Sequence, residues 1–106
     1  MYESIEYYMT KAKFSPSKYH FRFLEWLILK SFLCNYTGTT IKVETIAYNL
    51  RMHEKYWQTG RKDRVIKIVE EAAQIAYMMD YLLHFDLSSF YLIFTPNKVK
   101  LYPKGD

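Results

Sequence analysis

The sequence predicts a single α+β domain, mainly helical. A three-helix core is closed by a C-terminal antiparallel β-hairpin and preceded by a short N-terminal helix or arm. Three observations predict this. Apolar residues recur at helical spacing over residues 15–34, and most sharply from Lys62 to Leu82 or Leu83. Beyond that point the period changes, and "LLHFDLSSFYLIFTPNKVKLYP" is rich in β-branched and aromatic residues punctuated by turn signals. The length of 106 residues, 50% hydrophobic and 25% charged, suits one domain with one core. The expected division is an arm or short helix over 1–14 and the domain proper over 15–106.

In "YESIEYYMTKA", Tyr2, Ile5, Tyr8 and Met9 have helical spacing. "SPSKYHFRFLEWLILKSFLCN" is the first strong helix. Ser15 can cap it and Pro16 suits its first position. Its inner stripe is Leu24, Leu27, Ile28 and Cys34, widened by Phe23, Trp26 and Phe32. "NYTGTT" breaks it at Gly38. "TTIKV" is a short β-prone run, and "ETIAYNLRM" is a helix of about two turns with Ile46, Ala47 and Leu50 inside. A third helix begins near Lys62, capped at Thr59 or started around Gly60. Its stripe is Val65, Ile68, Val69, Ala72, Ile75, Ala76 and Met79, with Lys62, Lys67, Glu70, Glu71 and Gln74 opposite. Turns are expected at Asp86-Leu87-Ser88-Ser89 and at Thr95-Pro96-Asn97-Lys98, giving one or two hairpins. Alternation in "KVKLY" puts Val99 and Leu101 on one side of a strand and Lys98, Lys100 and Tyr102 on the other.

The net charge of +4 is unevenly spread. Residues 1–41 carry five basic and three acidic side chains, residues 42–67 seven and three, and residues 98–106 three and one. Residues 68–97 carry only Glu70, Glu71, Asp80 and Asp86. The positive charge thus centres on "HEKYWQTGRKDRVIK", from His53 to Lys67, as suits a nucleic-acid face. The one cysteine, Cys34, excludes an internal disulfide and any cysteine zinc cluster. His20, His53 and His84 lack partners at metal-ligand spacing. Glu70 and Glu71 are adjacent and diverge from a helix. There is no glycine-rich phosphate loop, nucleophile elbow or Cys-His arrangement. No enzyme, metal, cofactor or small-molecule substrate is expected. The stretch from Tyr19 to Cys34 is too short and too charged to span a bilayer, and the N-terminus has no basic-then-apolar signal. An intracellular protein, cytoplasmic or nucleoid-associated, is therefore expected.

Helix, strand, helix, helix, hairpin resembles the winged-helix variant of the helix-turn-helix over roughly residues 16–103. "TTIKVETIAYNL" looks like the first strand and second helix of that fold, with Ala47 and Leu50 packing under the next helix. "RKDRVIKIVEEAAQIAYMMDYLLHFDL" resembles the third helix running into the second strand. The layout is similar to modules in transcription regulators, plasmid-type replication initiators and small archaeal viral proteins. The link between the second and third helices departs from it. A helix-turn-helix turn has three or four residues, whereas about ten separate Met52 from Lys62. A longer second helix, an extra loop or a 3₁₀ turn would fill that gap.

The resemblance implies that the third helix enters the major groove of double-stranded DNA with its N-terminal residues near base edges. Arg61, Lys62 and Arg64 lie at that end and Lys67 about a turn further on. Arg reaches guanine O6 and N7 with both arms, and Lys or Arg neutralises phosphate. Gln58, Thr59 and the helix-start amides can bind phosphate. Tyr56 and Trp57 can brace the loop or pack on sugar. Cations at a helix N-terminus oppose its dipole, at about 0.3–1 kcal/mol each when exposed, so stability alone does not favour three of them there. A hairpin tip with Asn97, Lys98 and Lys100 can touch phosphate or the minor groove, or else carries edge lysines that block aberrant strand pairing. The wing is either 87–89 or 95–98. Tyr7, Tyr8, Phe21 and Trp26 are candidates for an apolar interface, and winged helices often dimerise through such elements, so a homodimer is expected. Transcription regulation or replication initiation is the implied role. The rival is a protein-interaction module within a larger assembly. Single-stranded nucleic-acid binding would be indicated by aromatics clustered and exposed on the sheet.

Overall fold

The computed structural model describes residues 17–101 of the chain. Helix α1 spans Lys18–Leu33, with Ser17 extended in front of it. Ser17 and His20 bond through Oγ and Nδ1 at 2.8 Å, so the helix start is fixed by a side-chain pair one turn apart. Ser15 and Pro16, expected to start this helix, lie outside the described residues, as do Tyr2, Ile5, Tyr8 and Met9 of the expected arm. Asn35 and Tyr36 end α1 with φ of 56° and 59°. Two consecutive left-handed residues turn the backbone sharply, and the Tyr36 amide donates to the Ser31 carbonyl at 2.8 Å.

Strand β1, Thr39–Lys42, runs directly into helix α2, Val43–Asn49. Arg51 (φ 61°) closes α2, and the Met52 amide donates to the Ala47 carbonyl. A π-helical turn then covers His53–Trp57. Its wide winding shows in Gln58 N–H to His53 O at 2.9 Å and Arg61 N–H to Tyr56 O at 2.7 Å, both spanning five residues. Gly60 (φ 81°) leads out of it in a conformation that side chains with a Cβ resist. The long link between the second and third helices is therefore an extra helical turn of the π kind. Thr59 belongs to that turn and does not cap the third helix: its hydroxyl donates to the carbonyls of Lys55 and Tyr56.

Helix α3 spans Lys62–Met78 and carries no side-chain cap. Strands β2, Leu82–Leu87, and β3, Tyr91–Pro96, form one hairpin turning at 88–90. Their sheet has the order β1-β3-β2 and is antiparallel throughout. The expected strand over "KVKLY" does not form at residues 98–101, and Tyr102 lies outside the described residues. Lys98–Leu101 is a short helix, α4. Asn97 enforces this: its amide bonds the Tyr81 carbonyl, its side chain the Asp80 carbonyl, and its own carbonyl accepts from Lys100 and Leu101. Of the one or two hairpins expected, the described residues form one, and Val99 is exposed.

The core lies between α1, α3 and the inner face of the sheet. All seven expected stripe residues of α3, from Val65 to Met79, are buried, and Leu82 continues the stripe while Leu83 faces out. Ala47, Ala72, Ala73 and Ala76 are fully buried and keep the interhelical side chains small. Phe23, Leu24 and Leu27 of α1 and Leu92 and Phe94 of β3 complete the core. Phe32 belongs on the outside of α1, 58% exposed, because the stripe has rotated away by the last turn. Cys34 is only partly buried, and its sulfur accepts from the Thr39 hydroxyl. His20 is buried, and its Nε2 lies 3.2 Å from Glu71 Oε1, which ties the start of α1 to α3. No helix among the described residues is long and apolar enough to cross a membrane.

Candidate nucleic-acid interface

The basic segment is built on an anchor. Tyr56 is buried, edge-on to Tyr19 of α1 at 6.0 Å between centroids, and so pins the π-helical turn to the core. The Lys55 ammonium lies 5.4 Å from the centre of its ring. Burial raises the Tyr56 pKa, but the nearby positive groups of Lys55 and Arg64 outweigh it and hold the phenol below the usual 10.0. One buried phenol thus gathers two cations from different elements to the same place.

The Tyr56 phenol gives a testable titration. Between its folded pKa and 10.0 the folded chain has released this proton and the unfolded chain still holds it. The unfolded state then binds more protons, so Tyr56 adds stability as pH rises through that window and adds none at neutral pH. Alkaline difference absorbance, with Tyr56→Phe subtracted, should show one phenol ionising early. Arg64→Ala and Lys55→Ala should each move it upward, and no movement in either would disprove the pairing.

Trp57, next along the turn, is half-buried, and the Lys62 ammonium lies 5.0 Å from its ring centre. On its other neighbour, His53 stacks at 6.3 Å, and Tyr48 of α2 stacks on His53 at 3.7 Å and 11°. Glu44 Oε2 lies 3.0 Å from His53 Nε2. The other ring nitrogen, Nδ1, is buried without a hydrogen-bond partner among the described residues. Tyr56 and Trp57 therefore brace the turn. His20 and His53 each meet one carboxylate, and among the described residues no group of three metal-ligating side chains gathers.

Gln58, Thr59, Arg61, Lys62, Arg64 and Lys67 are all exposed at or near the start of α3. Among the described residues Arg61, Lys62, Arg64 and Lys67 form no ion pair with a carboxylate. Arg51 and Lys55 are exposed in the same connection and extend this surface. Neither was singled out by sequence reasoning, although both contribute to the charge maximum over 42–67. Lys98 and Lys100 are exposed but lie elsewhere. Asn97 fixes α4 beside Asp80 and Tyr81, past the C-terminal end of α3. A 17-residue helix, roughly 25 Å long at 1.5 Å per residue, separates them from Arg61. The hairpin turn 88–90, by contrast, is at the basic end. Phe90 and Tyr91 line a groove of about 420 Å³ together with Trp57, Lys42 and Glu44.

Phe21 and Trp26, expected at an interface, are partly buried against the core. Trp26 contacts Phe23 at 5.5 Å and Phe94 at 6.1 Å. Tyr7 and Tyr8 lie outside the described residues. Apolar exposure on α1 falls instead on Leu29, Phe32 and Leu33. Comparison of the chain with protein-family models, with curated proteins and with solved structures finds no match.

Proposed function

We propose that this chain is a non-enzymatic double-stranded DNA-binding protein of the winged-helix type. It would act as a homodimer, regulating transcription or initiating replication of a mobile element by occupying a DNA site. The observation that carries this reading is the cluster of exposed, unneutralised cations at the start of α3, with Lys55 and Arg64 gathered around Tyr56 and Lys62 over Trp57. The element order α1-β1-α2-α3-β2-β3 and the sheet order β1-β3-β2 support it. In this reading the first turn of α3 docks in the major groove, and exposed first-turn amides add to its attraction for phosphate. The turn 88–90 is the wing. Lys98 and Lys100 do not share the docking face.

The π-helical turn replaces the tight turn of a helix-turn-helix and sets α3 further from α2 along the chain. It also adds Lys55, Gln58 and Thr59 to the edge of the docking face. A second reading, a protein-interaction module, is favoured by Leu29, Phe32 and Leu33, which are exposed together at the end of α1. Anisotropy titration against duplex DNA at two salt concentrations separates the two. DNA binding predicts a dissociation constant that tightens steeply as salt falls, from about 10⁻⁴–10⁻⁶ M for arbitrary sequence at physiological salt. Absence of duplex binding at low salt would sink the DNA reading and leave the interaction module.

A further inference from the structure

The groove beside the basic face has walls that phosphate neutralisation does not need. It is lined by Trp57, Phe90 and Tyr91, with Lys42 and Glu44 at its polar side. Phe90 is 72% exposed and Tyr91 45% exposed. Their backbone is nonetheless tightly held. The Ser88 hydroxyl accepts from the amides of Phe90 and Tyr91, and the Val43 amide donates to the Phe90 carbonyl at 2.8 Å. A large apolar ring is thus presented to solvent on a fixed turn. Lys42 pairs with Tyr91 across β1 and β3, so cation and ring stand side by side on the outer face of the sheet.

We infer that this groove holds an unpaired nucleobase carrying an amino group, so that the protein prefers duplex DNA with an adjoining single strand. The inference rests on the nucleic-acid reading of the neighbouring surface and adds a second subsite to it. Each wall has a task in such a complex. Phe90 and Tyr91 offer ring faces, and every base has a π-face to stack on them. Lys42 offers a charge for the phosphate next to the base. Glu44 supplies discrimination. One of its oxygens is occupied by His53, which fixes the carboxylate, and the other is left to accept from an exocyclic amine such as cytosine N4. Thymine presents carbonyl oxygens on either side of its one N–H, and these repel a carboxylate. The volume of about 420 Å³ is enough for one base with its sugar.

The test uses one short duplex in three forms: blunt, with an oligo-dC tail, and with an oligo-dT tail. Anisotropy should show the dC-tailed form bound roughly tenfold more tightly than the blunt form, the scale of one stacked base. The dT-tailed form should fall between them. Phe90→Ala should abolish the tail preference, so that this variant binds its tailed and blunt duplexes with equal affinity. Glu44→Gln should remove the preference for dC over dT. Equal affinity of the wild-type chain for tailed and blunt duplexes would overturn the subsite and leave the duplex reading standing. A tail preference that survives Phe90→Ala would also overturn it. Failure of all duplex binding, with free oligo-dC still bound in a Phe90-dependent way, would instead overturn the duplex reading and uphold the groove.

Discussion

Replacing Phe94 with Ala should cost about 3–5 kcal/mol of folding stability, the range for deleting a buried aromatic ring. Phe94 sits on the central strand, pairs with Thr39 on one side and Phe85 on the other, and is fully buried. Its ring meets Trp26 of α1 edge-on at 6.1 Å. It therefore joins three strands to the first helix, and no neighbour can fill its place without moving a strand. Domains of this size are stable by about 5–15 kcal/mol, so the variant should lie near the threshold of folding. In urea the midpoint should fall by about 2 M with the slope unchanged. The control is Phe90→Ala. It removes the same ring from the exposed hairpin turn and should change stability by less than about 0.5 kcal/mol. A Phe94→Ala midpoint close to that of Phe90→Ala would contradict the packing described for the sheet.

The contrast between these two phenylalanines also marks what the sequence could disclose. "FYLIF" is apolar or aromatic at every position, so pattern alone singles out no face of β3. Which face is buried depends on pairing with β1 some fifty positions away. Helix α3 was legible because one stripe of seven residues, Val65 to Met79, recurs over about four turns, too long a run to arise from any other element. The π-helical turn was not legible. "HEKYW" has no repeat of its own, and its shape depends on Arg51 and Gly60 in left-handed conformations, on Tyr56 against Tyr19, and on His53 between Glu44 and Tyr48. All but the glycine are tertiary facts. "KVKLY" misled for the opposite reason. Two apolar residues at alternate positions fit a strand, but the length is one turn, and a single residue outside it, Asn97, bends the chain into α4.

The candidate site divides in the same way. Arg61, Lys62, Arg64 and Lys67 could be read as one surface because they are adjacent in sequence at the start of a clear helix. Lys98 and Lys100 were grouped with them through an expected hairpin tip, and once that tip is a helix beside Asp80 the grouping dissolves. The groove was invisible in the sequence. Lys42, Trp57 and Phe90 come from three elements, and only the closing of β3 on β1 brings them together.

The double variant Arg61→Ala, Arg64→Ala should lose most of its affinity for duplex DNA while retaining its fold. Each exposed cation that neutralises a phosphate releases about 0.9 counterion, so two of them steepen the dependence of log K on log salt by about 1.8. Extrapolated from 1 M to 0.1 M salt, that corresponds to a loss of about sixtyfold, shrinking as salt rises. Arg64 adds a complication with a definite sign. Its guanidinium also helps to lower the Tyr56 pKa, so Arg64→Ala should raise that phenol's pKa, whereas Arg61→Ala should not. The two arginines can then be assigned separately. If Arg61 reads a guanine edge, Arg61→Ala should cost about 1–3 kcal/mol on the preferred sequence and little on others, with the salt slope nearly unchanged. If it binds phosphate, the loss should be the same on every sequence and the slope should fall by about 0.9. A double variant that keeps both wild-type affinity and wild-type slope would show that the start of α3 is not the docking face, whatever the rest of the surface binds.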